Sequence, residues 1–382
     1  INRDGKAMMN CDFLVIGAGM AGASTAYELA ELGSVILIER EDMPGYHTTG
    51  RSAAVFTEAY GNRTIRGITT ASRAFYDAPP DGFGDDPLLT PRGALFIGRE
   101  DQRATLQQHY EDCHALVPSV SLIDGAEACR LVPILRPDYV AGAVHEPDAM
   151  GIDVNALHQG YLHGLKSRGG TLVTDAELTG LARNGGTWDI DTRAGNYQAP
   201  VVVNAAGAWC DVVAELAGVR PVGLVPKRRT AFIFDAPEGS NSDDWPLMAD
   251  IDEEFYIKPD AGRLLGSPAD ETPMPPQDIQ PDELDIAIAV DRIEKATTVK
   301  ISRIHNKWAG LRSFVADKTL VAGFDAEAHG FFWLAGQGGY GIQTAPAMAV
   351  IAAALASGGD FPAHVTERGV SAADLDPARL FK

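Results

Sequence analysis

Four stretches of this sequence carry residue types at spacings that could do chemistry. Gly17-Ala18-Gly19-Met20-Ala21-Gly22 is a GxGxxG between an apolar run and a stretch with helical spacing. Gly17 permits a tight turn, and Gly19 lets the backbone approach a pyrophosphate seated on the helix N-terminus. Gly22 allows the helix to pack closely on its strand. Glu39, the acid ending the next apolar run "VILIER", is positioned to accept hydrogen bonds from an adenosine ribose and disfavours a 2′-phosphate. A second glycine block, "GQGGYGIQTAPAM" from Gly336 to Met348, opens another helix. Its partial positive charge is useful beside the anionic N1–C2=O edge of a reduced flavin, so it points to FAD rather than NAD. Arg229 in "PKRRTAFIF" and Arg312 in "WAGLRSF" each stand beside apolar, strand-like residues. A planar guanidinium matches a carboxylate bidentately, so each either holds a bound carboxylate or sits in a buried structural ion pair. Between these stretches lies "TTGRSAAVFTEAYG", where very small residues give way to Phe56, Glu58 and Tyr60.

Residues 12–16 read as a short buried strand, 20–32 as a helix and 34–39 as a second buried strand, a βαβ unit. A helix is expected over about 62–76, followed by a Pro/Gly/Asp-rich boundary, "APPDGFGDDP". "DVNALHQGYLHGLKSRGG" predicts an amphipathic helix capped by Asp153 and stopped by Gly169, and another helix is expected near 281–297. The fold class is α/β, with a discontinuous Rossmann-type FAD-binding domain and an α+β, sheet-rich substrate domain. The first comprises residues 8–86, 151–219 and 318–382, the second residues 87–150 and 220–317. There is no internal repeat and no low-complexity tract.

The 382 residues are too many for one minimal core. A formal net charge of −20, from 32 basic and 52 acidic residues, argues against nucleic acid or an anionic membrane as a partner. No run approaches the roughly 20 apolar residues of an integral membrane segment. Cys11, Cys113, Cys129 and Cys210 are scattered without metal-ligand spacing, so no metal is expected. Their scarcity suits a reducing compartment, and the cytoplasm is the expected location. The opening "INRDGKAMMN" has no apolar h-region and is read as a remnant preceding a start at Met8 or Met9.

Taken together, "DFLVIGAGMAGASTAYELAELG", "VILIER", "GRSAA", "VVVNAAGAW", "KRRTAFIF", "FYIKPDAGRLLGSPA", "WAGLRSF" and "GQGGYGIQT" resemble FAD-dependent amine oxidoreductases of the D-amino-acid-oxidase/glycine-oxidase type. Within that group the chain is most similar to bacterial D-arginine dehydrogenases. The resemblance implies non-covalent FAD, with Gly17, Gly19, Ala21 and Gly22 at the pyrophosphate and Glu39 and Arg40 at the adenosine end. Thr48, Thr49, Gly50, Arg51, Ser52, Ala53, Ala54 and Val55 would run along the flavin, with Arg51 and Ser52 donating hydrogen bonds to it. Leu178 would touch the adenine region, and Gly338, Gly339, Tyr340, Gly341, Ile342 and Gln343 would cover the ring edge. Arg229, Arg312 and Tyr256 would surround a substrate carboxylate. Tyr60 would close from a mobile lid, "VFTEAYG", and backbone near Gly339 would receive the amine. The implied reaction is hydride transfer from Cα of a D-amino acid to flavin N5, then hydrolysis of the imino acid to a 2-oxo acid and ammonia. Electrons would pass to a quinone-like acceptor.

The departures bear on specificity. Where the resemblance expects a glutamate that holds a guanidinium, this chain has Ala94, and where it expects histidine, Val55. Leu247 and Ala249 stand at the other side-chain positions. Loss of a carboxylate partnering a buried cation costs on the order of 2–5 kcal/mol, so D-arginine is disfavoured and an apolar side chain is expected. Glu58 either faces solvent or turns inward as a substitute acid. N-alkyl amino acids and 2-hydroxy acids suit the same arginines, and a non-catalytic flavin-binding protein is the alternative from another class.

Overall fold

The computed structural model describes residues 8–84 and 86–381, so the part of the expected remnant before Met8 lies outside the described residues. Phe13–Ile16 and Val35–Ile38 are buried along their whole length. That is the pattern of parallel strands covered on both faces. They lie in a six-stranded sheet whose spatial order is Thr171–Val173, Val35–Ile38, Phe13–Ile16, Val201–Asn204, Phe331–Ala335 and Val321–Phe324. Every pairing is parallel except the last.

The helix Met20–Leu29 starts directly from the glycine turn, with Gly19 as its N-cap. Gly17 has φ +97°, and a β-carbon there would lie 2.7 Å from the Ala205 carbonyl oxygen. A β-carbon on Gly22 would lie 1.9 Å from the Gly17 carbonyl oxygen, so this glycine is needed for approach of helix to turn rather than for contact with a ligand. Met20–Leu29 packs between Val154–Ser167 and Ala345–Ala356. The Asp153 side chain caps Val154–Ser167 by accepting from the Ala156 amide, and Gly169 follows it at φ +86°. Both features are those the sequence predicts. The helix expected over 62–76 is Arg63–Asp77, capped by Asn62.

The second large sheet has nine strands, drawn from residues 94–146 and 225–314. Its longest members, Val225–Phe234 and Ile304–Phe314, pair antiparallel, with Arg229 opposite Gly310 and Lys227 opposite Arg312. Arg229 and Arg312 are therefore diagonal neighbours on one face, within reach of long side chains. The helix Glu283–Ala296, capped by Asp282, covers the opposite face through Ile286, Ala289 and Ile293 against Phe232, Phe234 and Leu264. A small sheet of Val55–Phe56, Met150–Ile152 and Leu89–Pro91 lies beside the two large ones. Met8–Asn10 joins a fourth sheet, pairing in parallel with Asn196–Ala199. Among the described residues no helix is long and apolar enough to cross a membrane.

Candidate active site

Two cavities adjoin, and the first follows the glycine turn. It measures about 290 Å³ and has Gly17, Gly19 and Ala21 on its floor. Glu39, Arg40 and Leu178 stand at one end, Thr48, Thr49, Arg51, Ser52 and Ala53 along one side, and Gly338, Gly339, Gly341 and Ile342 at the other end. The Glu39 carboxylate, 8 % exposed, accepts the Ala18 amide at 2.8 Å and the Glu41 amide at 3.1 Å. It therefore shapes the glycine turn as well as facing the cavity. Arg40 lies over the Trp209 ring and pairs with Glu41. The Thr49 hydroxyl accepts the Met20 amide at 3.0 Å, satisfying a donor of the helix N-terminus.

The second cavity, about 110 Å³, is lined by Ala54, Val55, Thr57, Tyr60, Phe96, Leu247, Ala249, Glu253, Phe255, Ala269 and Gln343. Ser52, Ala53, Arg229, Tyr256, Arg312, Gly339 and Ile342 line both cavities and form the seam between them. The position a β-carbon on Gly339 would take lies 2.9 Å from Arg312 Nη1 and 3.3 Å from the Tyr60 hydroxyl. Glycine thus leaves open the space onto which a guanidinium and a phenol converge.

The two arginines are held differently. Arg229, 8 % exposed, donates from Nε to the Asp270 carbonyl at 3.0 Å and from Nη2 to Glu271 Oε1 at 3.5 Å. Burial and the neighbouring Arg312 push its pKa down. Arg312 has no carboxylate within ion-pair distance and no hydrogen-bond acceptor for its guanidinium among the described residues. Burial alone would lower it, but Tyr60, Tyr256 and Glu253 hold its pKa up. Burial first, then the Glu253 charge, raises the Tyr60 pKa, which keeps the phenol a hydrogen-bond donor at neutral pH. A partly buried cation without an internal anion, flanked by a second cation and a phenol donor, can accept an external carboxylate.

Several expected residues stand elsewhere. Ala94 is fully buried and does not line the cavity. It pairs with Glu146 and Leu247 on neighbouring strands and packs in a layer with Ala59, Leu106 and Cys113, so Phe96 takes its place at the wall. Glu58 does not line it either; its side chain is 13 % exposed, with Arg73 Nη1 3.9 Å away. Gly22 and Gly50 lie outside both linings, Gly22 packing beneath the turn and Gly50 donating its amide to the Gly45 carbonyl at 2.7 Å. Tyr340 is 6 % exposed and packs its ring against Tyr60 and Phe314 instead of facing a cavity. Arg51 lines the first cavity, but its guanidinium donates to the Ile279 and Ala309 carbonyls and pairs with Asp278, so it is not free for a cofactor.

The expected lid is a pinned segment. Val55–Phe56 is paired in the small sheet, and Ala59 is fully buried. The Gln343 side chain accepts the Thr57 amide at 3.4 Å and donates to the Thr57 carbonyl at 3.2 Å.

Sequence reasoning missed Trp209, Val212, Leu216 and Gln337 in the first cavity and Thr57, Phe96 and Glu253 in the second. Gln337 was within reach, since it sits inside the second glycine block. Glu253 adopts φ +58° in a turn and carries no local signal of its role.

The first cavity fits a flavin dinucleotide. Val212 and Leu216 line its adenosine end while 47 % and 43 % exposed, apolar surface that an adenine would cover. At the other end Gln337 Nε2 is buried without a partner, a donor suited to a ring carbonyl or nitrogen.

Comparison with known proteins agrees with this geometry. The model of the family described as DAO, FAD dependent oxidoreductase, matches residues 12–355. Mitochondrial dimethylglycine dehydrogenase of Rattus norvegicus is 24% identical over 262 residues, 67% of this chain and 30% of that protein. The chain thus spans about a third of the length of such curated relatives. The crystal structure of L-proline dehydrogenase from P. horikoshii superposes with a TM-score of 0.82 at 21% identity, covering 98% of this chain and 99% of that one. Glycine oxidase from Geobacillus kaustophilus gives 0.79 at 21% identity, covering 93% of this chain and 97% of that one.

Proposed function

The chain belongs to the DAO family of FAD-dependent oxidoreductases, and on that premise we propose that it oxidises free amino acids at Cα, with a preference for D-configured, apolar side chains. The observation that carries this reading is Arg312, a guanidinium without an internal acceptor on the seam between the two cavities. Arg312 and Arg229 grip the substrate carboxylate, and Tyr60 and Tyr256 add phenolic contacts. With the carboxylate held, Cα is directed at the seam and the side chain into the apolar wall of Val55, Phe96, Leu247 and Ala249. FAD, bound non-covalently, supplies the acceptor for the hydride that leaves Cα. The amine lone pair forms the C=N bond as the Cα–H pair departs, so the nitrogen must be unprotonated. Water then hydrolyses the imino acid to a 2-oxo acid and ammonia.

The configuration rests on the resemblance of the sequence blocks, and the side-chain preference on the cavity wall. A second reading, an N-alkyl amino acid, is favoured by the similarity to dimethylglycine dehydrogenase. The division into an FAD-binding and a substrate domain belongs to the same proposal. Its support is that the strands of the six-stranded sheet fall within 8–86, 151–219 and 318–382, and those of the nine-stranded sheet within 87–150 and 220–317. A quinone-like acceptor and a cytoplasmic location complete it.

The test is anaerobic mixing of the yellow protein with D- and L-amino acids, N-methyl amino acids and 2-hydroxy acids, following flavin bleaching. Bleaching by apolar D-amino acids, with D-arginine slow, is the expected result. Faster bleaching by N-methyl amino acids would replace the first reading with the second, and bleaching by none of the panel would end both.

A further inference from the structure

We propose that Glu146, which lines neither cavity, is a positioning residue for the substrate site: its carboxylate fixes residues 57–59 and thereby sets Tyr60 over the carboxylate-binding arginines. The inference rests on the second cavity being the substrate site. Glu146 is 1 % exposed on the strand Gly142–Glu146, directly across from Ala94. The small Ala94 side chain leaves its neighbour free to lean toward the pinned segment. Thr57 Oγ1 donates to Glu146 Oε2 at 2.5 Å, and the Glu58 amide donates to Oε1 at 2.7 Å. The Cys113 thiol reaches the Ala59 carbonyl at 3.3 Å, so three successive residues are held from the nine-stranded sheet and its covering helix. Gln343 holds Thr57 from the other side. Tyr60 is the next residue after this clamp, and Thr57 itself lines the cavity.

The clamp titrates. Burial pushes the Glu146 pKa up to about 7, against the donors that favour its ionised form. The ionisable groups around it are few. Glu58 acts on it from the segment itself, and Arg73 pairs with Glu58. Cys113 faces it from the helix Arg103–His114, with Arg66 and His109 beside the thiol. His145 precedes it on the strand, and Asp148 follows in the turn. Ionised, the carboxylate accepts both donors. Protonated, it must give its own hydrogen to Thr57 Oγ1 and becomes a weaker acceptor. Because the folded pKa lies above the unfolded value, the group's contribution to stability is full below about pH 4.5 and is lost as pH rises through about 7. Tightness of the clamp and stability of the fold therefore move in opposite directions with pH.

The experiment uses FAD-loaded protein and benzoate, a carboxylate with no amine to titrate, with Kd read from the flavin's visible spectrum. In the wild type Kd falls as pH rises through about 7, while Tm falls. E146Q, which keeps the clamp's shape but cannot ionise, retains FAD and binds benzoate with a pH-independent Kd. E146A weakens benzoate about tenfold and raises substrate KM more than it lowers kcat, as expected when buried donors lose their partner. Adding T57V to E146A produces little further loss, because both changes remove the same bond. If E146A melts lower but binds benzoate with the wild-type Kd and pH profile, Glu146 is merely structural and the proposal is overturned. If the wild type binds no carboxylate at all, the substrate-site reading falls first and takes this one with it.

Discussion

The two cavities differ in how their walls are assembled. The first cavity is built mainly from contiguous stretches: the turn and helix start at Gly17–Ala21, Glu39 and Arg40 after the next strand, the run from Gly45 to Ala53, and the glycine block at Gly336–Gly341. Beyond the stretch Ser52–Val55, the second cavity takes its wall in ones and twos, from the turn at Glu253 and from strands beginning at Ala94, Val225, Leu247, Tyr256 and Ile304. A wall of the first kind is fixed by local geometry. A wall of the second kind is fixed by the register between strands far apart in sequence, where a shift of one residue exchanges the two faces.

That contrast can be broken or sharpened by substitution. Gly22→Val should have the largest effect, since its β-carbon would meet the Gly17 carbonyl 1.9 Å away. The expected outcome is protein without FAD or no folded protein, read from the ratio of visible to ultraviolet absorbance. Arg312→Met should leave FAD content intact but lower kcat/KM by about a thousandfold, the scale of 2–5 kcal/mol for a charged pair lost from substrate binding. Loss of FAD in that variant would mean that the two cavities are not separable. Tyr60→Phe deletes one hydrogen bond and should cost about tenfold in kcat/KM, seen in KM, because the ring remains packed on Tyr340. Glu58→Gln should change kcat/KM by less than about twofold on any substrate, since its nearest cation is the surface-side Arg73. A marked loss of activity on cationic amino acids in Glu58→Gln would show the acid turning inward during turnover.

Legibility followed the same division. The βαβ unit, the cap at Asp153 and the glycine-rich stretches along the first cavity were readable because each depends on neighbours in sequence. Arg229 and Arg312 were readable as a pair because guanidinium groups in apolar strands demand a partner. Ala94 was placed at the side-chain wall by position matching alone, and Glu58 was left either facing solvent or turned inward. The strand pairing puts Ala94 between Glu146 and Leu247 and leaves Phe96 at the wall, which no local pattern around "RGALFIG" discloses. Arg51 shows the same limit in reverse: it is in the expected stretch, but its donors are consumed by carbonyls of Ile279 and Ala309, more than two hundred positions away.

The Thr57–Gln343 pair joins residues separated by 286 positions. During vectorial synthesis the glycine turn and the helix after it emerge early, and Glu146 and Met150–Ile152 can hold residues 55–58 before Gln343 closes on Thr57 from the other side. The central strand Val201–Asn204 waits equally for Phe331–Ala335. A chain grown only as far as residue 330 therefore leaves one edge of Val201–Asn204 unpaired and Thr57 without its Gln343 partner. Long-range pairings of this kind are slow to form, and the strand edges left open meanwhile are where aggregation starts.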